Sequence, residues 1–186
     1  MIIVKHKVNT VEELKEIDSK YGIEIDVRDY GKQLILNHDA FENGEILEDF
    51  LRFYNHKLLV LNIKSEGIED SVIKLVRQYK VKDYFLSDVS FHVIINSKLK
   101  KASIRFSEFE SIKTCMKLIG LVDWVLVDNF TGLPSWGFNE LRKHFKLCVI
   151  SPELFGRNQD IEMTRKIFKK NEVDAVMVDN CSLWEK

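Results

Sequence analysis

The sequence contains few of the residues that divide a chain into separate units, with only two prolines and eight glycines among 186 residues. No stretch is rich in proline, glycine or serine, which excludes an evident linker or low-complexity segment. Hydrophobic residues make up 45 % of the chain, enough for one well-buried core and not obviously for two. We therefore expect residues 1–186 to form a single domain.

The chain also has few cysteines and almost no net charge. Cys115, Cys148 and Cys181 are odd in number and lack a CxxC spacing, a pattern typical of reduced thiols in a cytosolic protein. The 28 basic and 29 acidic residues give a formal net charge of -1, so no overall field attracts nucleic acid or an anionic membrane surface. The first apolar run reaches a charge at Lys5, which excludes a signal peptide or a membrane span there. These features predict a cytoplasmic protein without a nucleic-acid partner or a membrane span.

Short apolar runs alternate with longer segments of helical periodicity from one end of the chain to the other. The predicted strands are residues 2–6, 22–27, 58–63, 84–86, 102–106, 124–127, 147–150 and 175–178. The predicted helices lie near residues 10–20, 45–55, 67–80, 90–98, 108–119, 137–145 and 159–170. An additional extended piece, residues 33–38, is expected to continue the second strand past a turn at residues 30–32.

This alternation predicts an α/β fold in which eight βα units close a compact (β/α)8 TIM barrel. Dividing 186 residues by eight leaves about 23 residues for each unit, whereas a usual barrel has about 250 residues in total. The helices and loops must then be short. A doubly wound open sheet is the structural alternative, but no strand-linked GxGxxG or P-loop pattern favours it.

Polar side chains follow the end of every predicted strand. In a parallel barrel these positions converge on one mouth, where the chemistry of such folds takes place. Along the chain they are Lys5-His6-Lys7, Glu24, Asp26, Arg28, Asn37-His38-Asp39, Asn62, Lys64, Ser87-Asp88, Arg105, Asp128-Asn129, Ser151, Glu153 and Asp179-Asn180.

Two acids interrupt the apolar second strand. Glu24 and Asp26 are two residues apart, so they point to the same face of the sheet. Carboxylates inside a barrel are costly unless a cation or a hydrogen-bond donor neutralises them, and oxygen ligands at this spacing suit Mg²⁺ or Ca²⁺. The alternative is a half-exposed strand whose polar face merely carries acids.

Two of the five histidines, His6 and His38, lie at predicted strand ends, whereas the other three fall on helices or their flanks. Imidazoles titrate near neutral pH, so a pair that faces one phosphate can act as general acid and general base. Taken alone, each histidine is better explained by a structural or surface role. The neighbouring acids favour the catalytic interpretation.

Two segments together resemble a known signature. Residues 21–28, Tyr-Gly-Ile-Glu-Ile-Asp-Val-Arg, and residues 34–39, Leu-Ile-Leu-Asn-His-Asp, are similar to the motif of the glycerophosphodiester phosphodiesterase family, in the superfamily that includes phosphatidylinositol-specific phospholipase C. His6-Lys7 stands where family members have a His-Arg pair, and residues 171–179 resemble the family's closing segment. The resemblance implies a full barrel and an enzyme that hydrolyses phosphoric diesters.

The resemblance also implies roles for individual residues. It makes His6 and His38 the acid–base pair, and Glu24 and Asp26 ligands of a divalent cation, Mg²⁺ or Ca²⁺. The family's third ligand is a glutamate on the third strand, and Asn62 takes its place here as the third predicted metal ligand.

The sequence departs from the family in three places. Asn62 contributes no charge, so we expect a weaker cation site. Lys7 replaces an arginine that could bind phosphate with two parallel hydrogen bonds. Only residues 40–57 separate the His-Asp pair from the third strand, so the insertion that family members carry there is almost absent. Glycerol specificity therefore does not follow from the resemblance.

The leading functional prediction is a metal-dependent phosphodiesterase that hydrolyses a small, glycerophosphodiester-like molecule by His/His general acid–base catalysis. The predicted substrate-binding residues are Lys7, Lys64, Arg105 and Glu153. One alternative is a phosphate-ligand-binding barrel that has lost catalysis, which Asn62 and the shortened loop favour. Another is a phosphodiesterase for a sugar- or nucleotide-linked phosphate in cell-surface polysaccharide assembly, favoured by the altered residues 150–153. The alcohols on the phosphate, the nucleophile and the oligomeric state stay open.

Overall fold

The structure is a computed structural model and describes residues 1–97, 99–132 and 137–185. Its strands are β1 Ile2–Lys5, β2 Gly22–Tyr30, β3 Gln33–Leu36, β4 Glu45–Ile46, β5 Leu59–Ile63, β6 Tyr84–Ser87, β7 Ser103–Phe106, β8 Trp124–Val127, β9 Lys146–Ile150 and β10 Ala175–Val178. Its α-helices are α1 Val11–Glu16, α2 Leu47–Phe53, α3 Glu69–Gln78, α4 Phe91–Ser97, α5 Ile112–Lys117, α6 Phe138–Leu141 and α7 Ile161–Asn171. Three 3-10 helices cover Pro152–Phe155, Asn158–Asp160 and Cys181–Trp184.

Eight of the strands form a curled parallel sheet in the order β6-β5-β2-β1-β10-β9-β8-β7. β3 pairs antiparallel with the end of β2, and β4 pairs antiparallel with β3. Each of the eight predicted strands and seven predicted helices has a counterpart in the structure. The prediction of an α/β fold with a parallel sheet is therefore confirmed, and the sheet is mixed only because of the β3–β4 addition.

Strand alternation separates the two faces of the sheet. Ile23, Ile25 and Val27 of β2 belong to the outer core, together with apolar residues of the surrounding helices. A smaller cluster fills the concave face, with members from β1, β5, β6, β8, β9 and β10, among them Val60. Because side chains alternate along a strand, the two acids of β2 face this concave side, and so does Asn62 of β5, two positions after Val60.

The predicted closed barrel is wrong at one seam. Among the described residues, an isolated bridge joins Leu86 of β6 to Ala102, the residue before β7, and no regular ladder forms between the two strands. The register explains the gap, because only Ser87 overlaps β7 before Asp88, with a φ of 56°, turns the chain away. The sheet is therefore curled and open on this side, although the Phe85 and Trp124 rings stack with centroids 4.5 Å apart across its concave face.

The piece after β2 does not continue that strand as expected. β2 runs on to Tyr30, the chain reverses at Gly31 with a φ of 64°, and β3 returns antiparallel in register Tyr30 to Gln33. The hairpin brings the chain back to the concave site, since the Asn37 amide donates a hydrogen bond to the Asp26 carbonyl at 3.1 Å. This geometry places the residues after β3 beside the acids of β2.

None of the helices in the described ranges is long and apolar enough to span a membrane.

Candidate active site

A cavity of about 260 Å³ opens at the carboxyl ends of the parallel strands. Its walls divide into two chemical halves. The polar half consists of His6, Glu24, Asn62, Ser87, Arg105 and Asp128. The apolar half consists of Leu126, Phe130, Ile150, Leu154, Phe155 and Met177. Four residues that the sequence singled out, His6, Glu24, Asn62 and Arg105, thus line one cavity.

Glu24 is completely buried on the concave face. Its Oε2 accepts a hydrogen bond of 2.7 Å from the Lys7 backbone amide, which the left-handed conformation of Lys7 (φ 56°) directs toward it. Its Oε1 has no hydrogen-bond partner among the described residues. Burial raises the pKa of Glu24, and the neighbouring Asp26 carboxylate raises it further, because both disfavour the ionised form. The site therefore contains a buried carboxylate with one oxygen free to bind.

Asp26 is also buried, but both of its oxygens have donors. Its Oδ2 accepts from the Asn9 side-chain amide at 2.9 Å, and the Lys64 ammonium lies 3.2 Å from Oδ1. Asn9 in turn accepts a hydrogen bond of 2.8 Å from the Asp26 backbone amide. The capping box of α1 holds Asn9, because Glu13 also accepts from the Asn9 backbone amide at 2.9 Å. Helix capping thus positions a residue that fixes Asp26.

His6 lies between two carboxylates. Its Nδ1 is 3.1 Å from Oδ1 of Asp179, and its Nε2 is 3.9 Å from Oε2 of Glu24. An ionised Asp179 favours the tautomer with the proton on Nδ1, which leaves Nε2 directed into the site. Glu153 holds the same strand end, since its Oε1 accepts from the backbone amides of Asp179 and Asn180. Glu153 does not line the cavity, so its predicted contact with substrate stays a prediction.

His38 follows the β2–β3 hairpin and is half-exposed. Its Nδ1 lies 2.8 Å from Oδ1 of Asp39, and this hydrogen bond lowers the pKa of Asp39. Arg28 fixes the loop by donating to the carbonyls of Asn37 and His38, at 3.1 and 3.2 Å. Each of the two predicted catalytic histidines is therefore oriented by an aspartate through Nδ1, although His38 lies outside the cavity wall.

Arg105 lines the cavity, but two carboxylates hold it. Its Nε lies 2.7 Å from Oδ1 of Asp88, and its Nη1 donates to Asp128. Burial raises the pKa of Asp128 to about 6, against the opposing effect of the Arg105 charge. Lys64 is likewise paired with Asp26, whereas Lys7 is exposed. Two of the three cations predicted to bind phosphate are thus partly neutralised within the protein.

The chain is similar in structure to two solved proteins. One is a glycerophosphoryl diester phosphodiesterase from Parabacteroides distasonis, with a TM-score of 0.65, 12 % identity, and coverage of 96 % of this chain and 82 % of that one. The other is a protein from Agrobacterium tumefaciens provisionally named as a glycerophosphoryl diester phosphodiesterase, with a TM-score of 0.66, 10 % identity, and coverage of 99 % and 95 %. The chain has the glycerophosphoryl diester phosphodiesterase fold. No protein-family model and no curated protein matches the sequence.

The glycerophosphoryl diester phosphodiesterase fold is the one that the motifs of residues 21–39 and the His6-Lys7 pair imply. Sequence motifs and overall structure thus lead independently to the same fold. At 10 to 12 % identity the likeness establishes the fold, and the roles of individual residues depend on the geometry of this site.

The donor chemistry of the site fits a hard divalent cation in part. Oε1 of Glu24 and Oδ1 of Asn62 are both buried and lack hydrogen-bond partners within the described chain. Buried oxygens in this state are the donors that Mg²⁺ and Ca²⁺ prefer. Asp26, by contrast, contacts Lys64, and no cluster of three His, Cys, Asp or Glu side chains that could hold a metal occurs in the described ranges. Glu24 and Asn62 are therefore the residues best placed to bind a cation.

Asp128→Asn should flatten the pH dependence of stability. With a pKa of about 6 in the folded protein and an ordinary value of 3.8, Asp128 contributes stability that is fully present below pH 3.8 and lost as the pH rises through 6. This difference corresponds to about 3 kcal/mol. Urea unfolding of both proteins near pH 4 and near pH 7 should show the wild-type free energy falling by about that amount relative to the variant. Parallel pH profiles would contradict the assignment.

Sequence reasoning missed several residues that shape this site. Asn9 and Asp179 position Asp26 and His6, and Asp88 and Asp128 hold Arg105. Their positions after strands were evident for all but Asn9, yet no sequence signal connected them to their partners. The apolar wall, with Phe130, Leu154 and Phe155, carried no motif either.

Proposed function

We propose that this chain is a divalent-cation-dependent phosphodiesterase that hydrolyses a glycerophosphodiester-like substrate with His6 and His38 as its acid–base pair. One observation carries the proposal. His6 Nε2 lies 3.9 Å from the buried Glu24 on the wall of the mouth cavity, in the fold that the glycerophosphoryl diester phosphodiesterases share. A titrating group and a carboxylate with a free oxygen are the elements that metal-assisted phosphate chemistry needs.

The two histidines would carry the protons. In each, the aspartate at Nδ1 leaves Nε2 as the atom that exchanges a proton with the substrate. One imidazole would remove the proton from the attacking water or substrate hydroxyl, and the other would protonate the leaving alkoxide. Asp179 and Asp39 would stabilise the imidazolium that forms after proton uptake, since both carboxylates lie within 3.1 Å of a ring nitrogen.

Glu24 and Asn62 would hold the cation, with Asp26 joining them if Lys64 moves toward the substrate phosphate. A cation bound there would polarise the phosphoryl oxygens. Lys64, whose ammonium lies 3.2 Å from Oδ1 of Asp26, would then exchange this contact for one with the phosphate. Lys7, exposed beside the mouth, would add charge from the other side.

A phosphate-release screen tests the proposal. The purified chain should hydrolyse at least one diester when a phosphatase converts the monoester product to inorganic phosphate. The panel contains glycerophosphodiesters together with sugar- and nucleotide-linked diesters, each with Mg²⁺, with Ca²⁺ and with excess EDTA. We expect turnover with one of the cations and a loss of at least about 10²-fold with EDTA. Activity that EDTA leaves intact would contradict the cation requirement.

A barrel that binds phosphate without cleaving it is the second candidate. The observation that favours it is the pairing of Lys64 and Arg105 with carboxylates, which leaves less positive charge for a transition state. The same panel separates the two functions. Saturable binding of a diester, measured by calorimetry, with no phosphate released from any member would support the binding barrel.

A further inference from the structure

The apolar half of the cavity has no role in phosphate chemistry. Leu126, Ile150 and Met177 come from the last three strands, and Leu154 and Phe155 come from the 3-10 helix that follows β9. These side chains present carbon to the space in which one alcohol of a phosphodiester would lie. Glycerol hydroxyls would lose hydrogen bonds to water against such a wall, at a cost that the wall cannot offset.

The apolar wall continues onto the surface as three phenylalanine rings. The Phe155 and Phe130 centroids are 5.0 Å apart, and the Phe130 and Phe109 centroids are 5.9 Å apart. Phe130 is 41 % exposed and Phe109 is 75 % exposed. We call Phe109, Phe130 and Phe155 the aromatic shelf. A contiguous apolar surface that starts inside a polar site is a feature of ligand grooves, in contrast to single exposed apolar residues.

Polar contacts on both sides keep the shelf in place. Glu108 accepts from the backbone amide of Thr131 at 2.5 Å and from its hydroxyl at 2.7 Å, which ties the loop after β7 to the loop after β8. Asn129, fully buried, donates to the Ile150 carbonyl and accepts from Arg157. Phe130 therefore lies between two anchored residues. The exposed rings belong to a preorganised surface, which reduces the entropy cost of binding a ligand.

The ring geometry favours a hydrocarbon chain over a flat aromatic group. Neighbouring rings of the shelf are inclined by 55° and 61°, so they do not present the parallel face on which a nucleobase stacks. A flexible chain can follow such a corrugated surface. The cavity itself, at about 260 Å³, has room for a phosphate and a small group, so a longer substituent would have to leave it across the shelf.

We propose that the substrate is a phosphodiester one of whose alcohols carries a long hydrocarbon chain, and that the aromatic shelf binds this chain. The inference rests on the proposed function, because the polar half of the cavity must hold the phosphate. An acyl-glycerol and a simple long-chain alcohol would both supply this chemistry. The distinction between them is left to the substrates used below.

Two diesters that differ only in the chain test the inference. Glycerophosphocholine and 1-decanoyl-glycerophosphocholine are compared at concentrations where the decanoyl compound is monomeric, and decyl phosphocholine serves as the simple-alcohol form. We expect kcat/KM for both chain-bearing diesters to exceed that for glycerophosphocholine by about tenfold to 100-fold. A larger value for the decanoyl compound would identify an acyl-glycerol as the preferred source of the chain, and a larger value for decyl phosphocholine would identify a simple alcohol.

Phe130→Ala is the decisive variant. It should lower the ratio of kcat/KM for the decanoyl diester to kcat/KM for glycerophosphocholine about tenfold, whereas Phe130→Leu should retain most of the preference. Phe53→Ala is the matched control. Phe53 is 51 % exposed at the end of α2, where the Lys15 ammonium lies 4.4 Å from the centre of its ring. Its replacement should change kcat/KM for neither substrate.

The outcomes separate this inference from the proposed function. Two results would overturn the chain-binding shelf and leave the phosphodiesterase proposal intact. One is a kcat/KM for glycerophosphocholine at least as high as for the chain-bearing diesters. The other is an equal loss of kcat/KM for glycerophosphocholine and for the decanoyl diester in Phe130→Ala. If Phe130→Ala lowers kcat/KM for bis(4-nitrophenyl) phosphate by as large a factor as for the decanoyl diester, the hydrocarbon occupant is overturned. If no diester is hydrolysed, the proposed function fails, and calorimetric binding of the decanoyl diester to wild type and Phe130→Ala decides the shelf by the same tenfold criterion.

Discussion

Replacing either His6 or His38 by alanine is expected to lower diester hydrolysis by about 10²- to 10⁴-fold, the usual contribution of a positioned proton-transfer group. Both imidazoles have an aspartate at Nδ1, which leaves Nε2 as the atom that can exchange a proton with the reacting phosphate group. Since the two act on one reaction, the double variant should lose much less activity than the product of the single losses. The quantity to measure is kcat on the best diester of the panel.

The folded state should survive both substitutions, because the side chains lie at the mouth and are partly exposed. His92→Ala, which removes an exposed histidine of α4, is the matched control and should keep full activity. Full activity in His6→Ala and in His38→Ala would exclude the paired-histidine mechanism. A loss in only one of them would assign the proton transfers to that histidine and to a group other than its proposed partner.

Glu24→Gln should have the second large effect. It removes the buried carboxylate of the cavity wall, whose Oε1 has no hydrogen-bond partner among the described residues, while Asn62 is neutral and Asp26 is paired with Lys64. We expect cation binding to become undetectable by isothermal titration calorimetry and the cation-dependent rate to fall by at least about 10²-fold. Thermal stability without added cation should be maintained or increased, because burial raises the pKa of Glu24 and the neutral amide avoids the cost of the ionised form.

Asn62→Asp tests the same site in the opposite direction. A carboxylate of nearly the same size would add a charged oxygen beside Glu24, so the cation should bind about tenfold more tightly or better, and the protein without cation should be less stable. Glu16→Gln on the exposed surface of α1 is the control for a change of one charge and should alter neither quantity. If Asn62→Asp binds the cation no more tightly, then Asn62 is not a ligand and the alignment of β5 with the family's third strand is wrong.

The local features of this protein follow from its sequence because they depend on neighbouring residues. Short continuous apolar runs such as residues 124–127 and 175–178 coincide with β8 and β10, and helical periodicity locates the seven α-helices of the described residues. The alternation of side chains along a strand places Glu24 and Asp26 on the concave face, since Ile23 and Ile25 must join the outer core. The fold class and the acidic character of the site were thus determined by patterns that span only a few residues.

Only the tertiary structure decided which partners these residues have. Asp179 reaches His6 and Asn9 reaches Asp26 through strand register and helix capping, which join positions 173 and 17 residues apart in the chain. The left-handed turn at Asp88 opens the β6–β7 seam, and the same residue then neutralises much of the charge that Arg105 offers to phosphate. Such contacts depend on the packing of elements that are distant in the sequence. They are selected by the sum of many small interaction energies, which a local sequence pattern does not contain.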